Sequence, residues 1–183
     1  MIAELPTTLC VGGVEREIRS DYRAALDIFV AFNDMELNDL EKNIVMLKIL
    51  YVDDIEPEYA NEAIDQAVWF LNLGDTIKGD SDMRLYDWEQ DRSMIFSAVN
   101  KVCGKEVRAV EYMHFWTFLS FFMEIGEGLF SNVISIREKQ QKGKKLEDYE
   151  REFYLANREL IDLKRKYDTE RQTEINNIMK QIK

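Results

Sequence analysis

Along most of this chain, apolar residues recur at three- and four-residue intervals, the period of one helical face. Tyr22, Leu26, Phe29 and Val30 set the first stripe, on a helix that opens at Ser20 or Asp21 and runs to about Asn33. Leu37, Leu40, Ile44, Leu47 and Tyr51 set a second, with Asn38 and Glu41 at capping-box spacing ahead of it. Pro57 suits the first turn of a third helix, where its missing N–H is no loss; this helix presents Tyr59, Ala63, Ala67 and Phe70 and ends at Gly74. Asp87 is placed to cap a fourth, carrying Trp88, Ile95, Val99 and Val102, which Gly104 stops. A fifth, from about Val110, is crowded with Tyr112, Phe115, Trp116, Phe118, Phe121 and Phe122, which predicts a central helix buried on several sides. Gly126 and Gly128 permit a bend before Phe130, Val133, Ile134 and Arg137.

The N-terminus follows a different period. Thr7 to Val11 and Val14 to Arg19 flank Gly12-Gly13, a pair able to adopt the positive φ angles of a two-residue hairpin turn. In that register Val11 faces Val14 and Thr7 faces Ile18, with Leu9 on the greasy side and Thr8, Glu15 and Glu17 opposite. A lone hairpin is barely stable in water, so its apolar side should lie on the helices.

The narrowest stripe comes last. Leu146, Tyr149, Phe153, Ala156, Leu160, Leu163 and Tyr167 form a heptad seam of about three repeats, on a helix about 33 Å long. A seam this narrow needs another helix to cover it, either from a partner or from the same domain by folding back. Beyond Tyr167 the register slips, and Ile175, Ile178 and Ile182 restart the spacing one position late. The pattern therefore predicts a mainly α protein of five to seven helices, with a short N-terminal β-hairpin and a long C-terminal helix. Residues 1–141 form the body, and residues 142–183 a hinge and heptad-patterned arm.

Charge narrows the partners. The 183 residues carry 24 Lys and Arg against 35 Asp and Glu, a net charge of −11, which disfavours nucleic acid as a ligand. The excess lies in the body: residues 1–143 hold 14 basic and 26 acidic side chains, residues 144–183 hold 10 and 9. One basic cluster, Arg137, Lys139, Lys142, Lys144 and Lys145, marks the hinge, where it would pair with acidic neighbours or grip an acidic partner or RNA. The stretch Met1 to Pro6 lacks the basic flank and apolar run of a signal peptide, and no run reaches the ~20 apolar residues of a membrane span. The expected setting is the cytoplasm, with no membrane partner.

Chemical motifs fail one after another. Glu111 and His114 have the Glu-x-x-His spacing of a di-iron half-site, but His114 is the only histidine and a second half-site is missing. Asp80, Asp82 and Asp91 suggest a calcium loop, yet Arg84 and Leu85 stand where an oxygen ligand and a glycine are needed. Cys10 and Cys103 are isolated, which argues for two free thiols, and Gly12-Gly13 lacks a phosphate-binding lysine pattern. No catalytic residue, cofactor or metal ligand is expected.

Several stretches, "SDYRAALDIFVAFND", "EKNIVMLKILY", "YDWEQDRSMIFSAV" and "HFWTFLSFFMEIGEGLFSNVISIREKQQKGKKLEDYEREFYLANRELIDL", together resemble the gene-product-fifteen family of siphophages and prophages of Gram-positive bacteria. The resemblance runs to about Leu163. It is sharpest from His114 to Asn157, through Trp116, Gly126, Arg137, Gly143, Lys144, Lys145 and Glu150; Phe115 stands where a second tryptophan is expected. The family is similar in kind to tail assembly chaperones. The resemblance implies a non-enzymatic helper that binds the tape-measure protein and helps recruit tail-tube subunits. Its partners would be the tape-measure protein, other tail proteins and further copies of itself. The seam residues Leu146, Tyr149, Phe153, Leu160, Leu163 and Tyr167, with Ile175 and Ile178, are the expected contact surface. The alternatives are a structural tail or connector component retained in the virion and, more remotely, a carboxylate- or metal-dependent enzyme.

Overall fold

In a computed structural model, which describes residues 4–75 and 84–164, the chain is mainly α-helical, with one two-stranded antiparallel sheet at its start. Strands β1 (Thr8–Val11) and β2 (Val14–Glu17) pair in the expected register, Val11 opposite Val14 and Thr8 opposite Glu17, and Ile18 N–H donates to the Thr7 carbonyl. Both turn residues have positive φ, 62° at Gly12 and 73° at Gly13. Gly12 is also held close: a Cβ there would meet the Tyr59 ring at 2.9 Å. Leu9, Val11 and Ile18 are buried, so the hairpin covers the helices with its apolar face.

Eight helices follow among the described residues, one more than the expected range: α1 (Tyr22–Phe32), α2 (Asp39–Leu50), α3 (Ala60–Leu71), α4 (Arg92–Cys103), α5 (Phe115–Met123), α6 (Leu129–Gln141), α7 (Asp148–Ala156) and the single turn α8 (Arg158–Ile161). Local chemistry sets their ends. Asp21 caps α1 by accepting from Arg23 N–H. Asn38 and Glu41 form the reciprocal capping box at α2. Pro57 opens a 3-10 turn, Pro57–Tyr59, that feeds α3. Gly104, at φ 74°, ends α4 in the left-handed conformation.

Two stripes are turned relative to the sequence reading. On α1 the buried residues are Tyr22, Ala25 and Ile28, with Leu26, Phe29 and Val30 at the margins. On α2 the buried residues are Met46 and Leu50, while Leu40 and Ile44 face outward. The far end of α2 is the anchored one. Tyr51, 1% exposed, donates its hydroxyl to the Ala63 carbonyl, and Arg19 donates to the carbonyls of Lys48, Ile49 and Tyr51. The guanidinium satisfies the helix's last carbonyls and its negative end, which pins the C-terminal end of α2.

The helix expected from Val110 starts later. Val107–Ala109 is a 3-10 turn, and the chain then runs extended beside the start of α1, with Tyr22 N–H donating to the Met113 carbonyl and Phe115 N–H to that of Ser20. His114 is therefore the N-cap of α5 rather than a residue within it. Behind it the core is aromatic. Tyr22 stacks on Phe118 at 4.4 Å, and Trp116 donates its indole N–H to the Phe70 carbonyl. Phe115 and Phe118 are fully buried between α1, α3 and α4.

Candidate functional site: the clamped C-terminal arm and the exposed apolar positions

The seam expected on one long helix is divided. Asn157 leaves the helical conformation at φ −129°, its side-chain amide donates to the Phe153 carbonyl, and its own carbonyl accepts from Leu160 and Ile161 to begin α8. The break serves a residue outside the heptad pattern. Ile161 is fully buried, and only a change of direction at Asn157 brings it into the core.

Arg137 on α6 holds the arm there. It was expected in the polar hinge; it is instead 3% exposed. Its Nε donates to the Ile161 carbonyl at 2.6 Å, and its Nη2 to the Leu160 carbonyl at 3.0 Å. Nη1 reaches the Leu85 carbonyl at 3.0 Å and the Asp91 carboxylate at 2.6 Å, while Nη2 reaches the other Asp91 oxygen at 3.0 Å. A guanidinium has five N–H donors, and each one is used here. A charge this deep is tolerable because Asp91 balances it and every donor has an acceptor. Three stretches of chain, at Leu85, Asp91 and Leu160–Ile161, converge on this one side chain.

The rest of the basic cluster is paired or exposed. Lys139 donates to both oxygens of buried Glu150, at 2.6 and 2.7 Å, and Glu150 also accepts from Glu147 N–H as part of a capping box. The Lys139 ammonium and then the Glu147 amide hold the Glu150 carboxyl below its ordinary value. Lys142 pairs with Glu138, and Lys144 and Lys145 are exposed. Gln90 completes the strap, its amide donating to the Asp162 carbonyl and accepting from Lys164 N–H, both at 2.9 Å.

Of the expected contact residues, Leu146, Phe153 and Leu160 are half-buried against the core, Leu163 is half-buried, and Tyr149 is 71% exposed. Tyr149 and Phe153 line a crevice of about 220 Å³ against α6, closed by Ile136 and Glu150. Tyr167, Ile175 and Ile178 lie outside the described residues, as do Asp80 and Asp82 of the rejected calcium loop. The sequence reading missed Arg137 as a buried anchor, although Phe130, Val133 and Arg137 share one stripe, the signal that an arginine faces inward. It also missed Ile161 and the exposure of Leu40 and Ile44.

His114 has a structural post. Its Nδ1 accepts from Trp116 N–H at 3.1 Å, and its Nε2 lies 2.9 Å from the Pro6 carbonyl, which assigns the proton to Nε2. Burial pushes the imidazole below its ordinary value, against the pull of the Pro6 hydrogen bond. Glu111 is not on a helix with it, so the di-iron spacing has no common face to act on. Among the described residues no group of three His, Cys, Asp or Glu side chains is arranged to hold a metal ion, and no described helix is long and apolar enough to cross a membrane.

The site is thus a set of clamps and apolar surfaces, suited to contact. Residues 1–168 match the family described as Bacteriophage Gp15 protein. The chain belongs to that family. Membership points to a structural or assembly role in phage and to other phage proteins as partners. Neither the curated proteins nor the solved structures give a match to this Gp15-family chain.

Proposed function

We propose that this protein is a non-enzymatic tail assembly chaperone, or an accessory of one, working in the host bacterial cytoplasm. It binds the tape-measure protein and helps recruit tail-tube subunits as the siphophage tail assembles. The observation that carries the reading is membership of a phage family across residues 1–168. The physical character of the surface supports it. A net charge of −11 keeps a complex with an apolar client dispersed, and Tyr149, Leu155, Leu40 and Met35 stand about 70% exposed, where a client can reach them. The arm, residues 142–183, is the proposed client contact, through Leu146, Tyr149, Phe153, Leu160 and Leu163 and through Tyr167, Ile175 and Ile178 beyond the described residues.

Co-expression with the tape-measure protein is the test. The expected result is tape-measure protein in the soluble fraction with this chain present and in the pellet without it. Equal partitioning in both cultures overturns the reading. Mass spectrometry of purified particles then separates a helper, absent from the virion, from a retained tail component.

A further inference from the structure

Helix α2 has two apolar faces, and the domain covers one of them. Met46 and Leu50 are fully buried, but Leu40 is 68% exposed and Ile44 49%. These two lie one helical turn apart on the same face, and half-buried Leu47 continues the line, giving i, i+4, i+7 spacing. Met35, just ahead of the α2 cap, is 69% exposed, and Phe32 at the end of α1 is 38% exposed. The tip of the α1–α2 pair therefore gathers large apolar side chains that no described segment covers. Grouped exposure of this kind marks a contact surface, whereas single exposed apolar residues are ordinary.

The polar side chains around the tip choose the partner. Between Phe32 and Leu47 the chain carries four carboxylates, Asp34, Glu36, Asp39 and Glu41, against one cation, Lys42; the next, Lys48, is paired with Asp54. A second copy docked through the same face would bring two such acidic rims together, which like-charge repulsion opposes. A phosphate backbone is repelled in the same way. The spacing of Leu40, Ile44 and Leu47 matches the seam into which a helix lays its own three-and-four stripe.

We propose that the α1–α2 tip docks one amphipathic helix of another protein, with apolar residues at three- and four-residue spacing flanked by lysine or arginine. The apolar stripe of that helix covers Met35, Leu40 and Ile44, and its basic flank neutralises Asp34, Glu36 and Asp39. This surface is separate from the C-terminal arm, and the inference does not require the tape-measure protein to be the client.

The test uses the full chain and two labelled amphipathic peptides of equal length, one of leucine and lysine, one of leucine and glutamate, followed by fluorescence anisotropy. The leucine–lysine helix should bind and the leucine–glutamate helix should not. Leu40→Ser with Ile44→Ser should weaken binding at least about tenfold, the scale of losing a central contact. Glu36→Lys should weaken it several-fold and flatten its salt dependence. Leu129→Ser, an exposed residue on α6, should leave affinity unchanged. Each replaced side chain is exposed, so unchanged circular dichroism is expected throughout. Equal binding of both peptides, or undiminished affinity of the Leu40/Ile44 variant, overturns the proposal. So does a chain shortened after Lys164 that binds about tenfold tighter or more, which would assign the tip to this chain's own terminal residues.

Discussion

In the chain His114 stands three residues after Glu111, a spacing that has meaning only if both residues share a helix. The extended pairing of Met113 and Phe115 with Tyr22 and Ser20 puts the helix start after His114 and turns the imidazole into a cap. That post has a pH signature. Burial lowers the affinity of His114 for a proton, and protonating Nδ1 would also remove the acceptor of Trp116 N–H. The unfolded chain therefore binds the proton more readily than the fold does. The contribution of His114 is present above its ordinary value near 6.5 and is lost as pH falls below it. Urea unfolding at pH 7.5, 6.5 and 5.5 should show stability falling with pH, and His114→Asn should flatten that fall over this interval. Parallel slopes for the two proteins would remove the assignment.

The clamp at Arg137 operates between elements. It ties α6 to the start of α4, to the stretch at Leu85 and to the arm at Leu160–Ile161, and its side chain and that of Asp91 are 3% and 0% exposed. Removing one partner leaves the other charge buried and unbalanced, a loss of about 3–5 kcal/mol. Arg137→Met should cost that much in equilibrium unfolding. Arg137→Lys should recover little of it, because an ammonium cannot serve acceptors on five lines at once. The pairing of Arg137→Met with Asp91→Leu should be milder than Arg137→Met alone. If Arg137→Met unfolds at the wild-type midpoint, the clamp does not hold the arm. The same scale explains why α2 is turned. Its stripe by periodicity includes Leu40 and Ile44, and an isolated helix has no means of choosing between that face and Met46/Leu50. The body packs on the C-terminal half of the helix, where Met46, Leu50 and Tyr51 are buried and Arg19 holds the terminal carbonyls, and leaves Leu40 and Ile44 at the N-terminal half exposed.

Across the whole molecule, the arm is bound to the body at least as far as Lys164. Cutting after Gly143 strips Ile161 from the core and two carbonyls from Arg137. That product should show a lowered melting temperature and early protease cleavage. Cutting after Lys164 removes none of these contacts. The second cut is therefore the one that tests whether Tyr167, Ile175 and Ile178 contribute to client binding. A Gly143 product as stable as the full chain would mean that the arm adds nothing to the core.

Periodicity and local residue types determined the helical class, the Gly12-Gly13 hairpin with its register and the capping box at Asn38 and Glu41, while the family resemblance from His114 to Asn157 rests on its quoted stretches. Each rests on interactions within a few residues or on a repeating face, which a linear pattern carries. Tertiary structure decided the rest. It decided which of two apolar faces of α2 is buried, that Arg137 points inward, and that the seam breaks at Asn157 so that Ile161 can enter the core. The physical reason is common to all three. Each outcome depends on which carbonyls and cavities from distant segments lie nearby, and a buried guanidinium or a turned helix is stable only once those groups have been brought together.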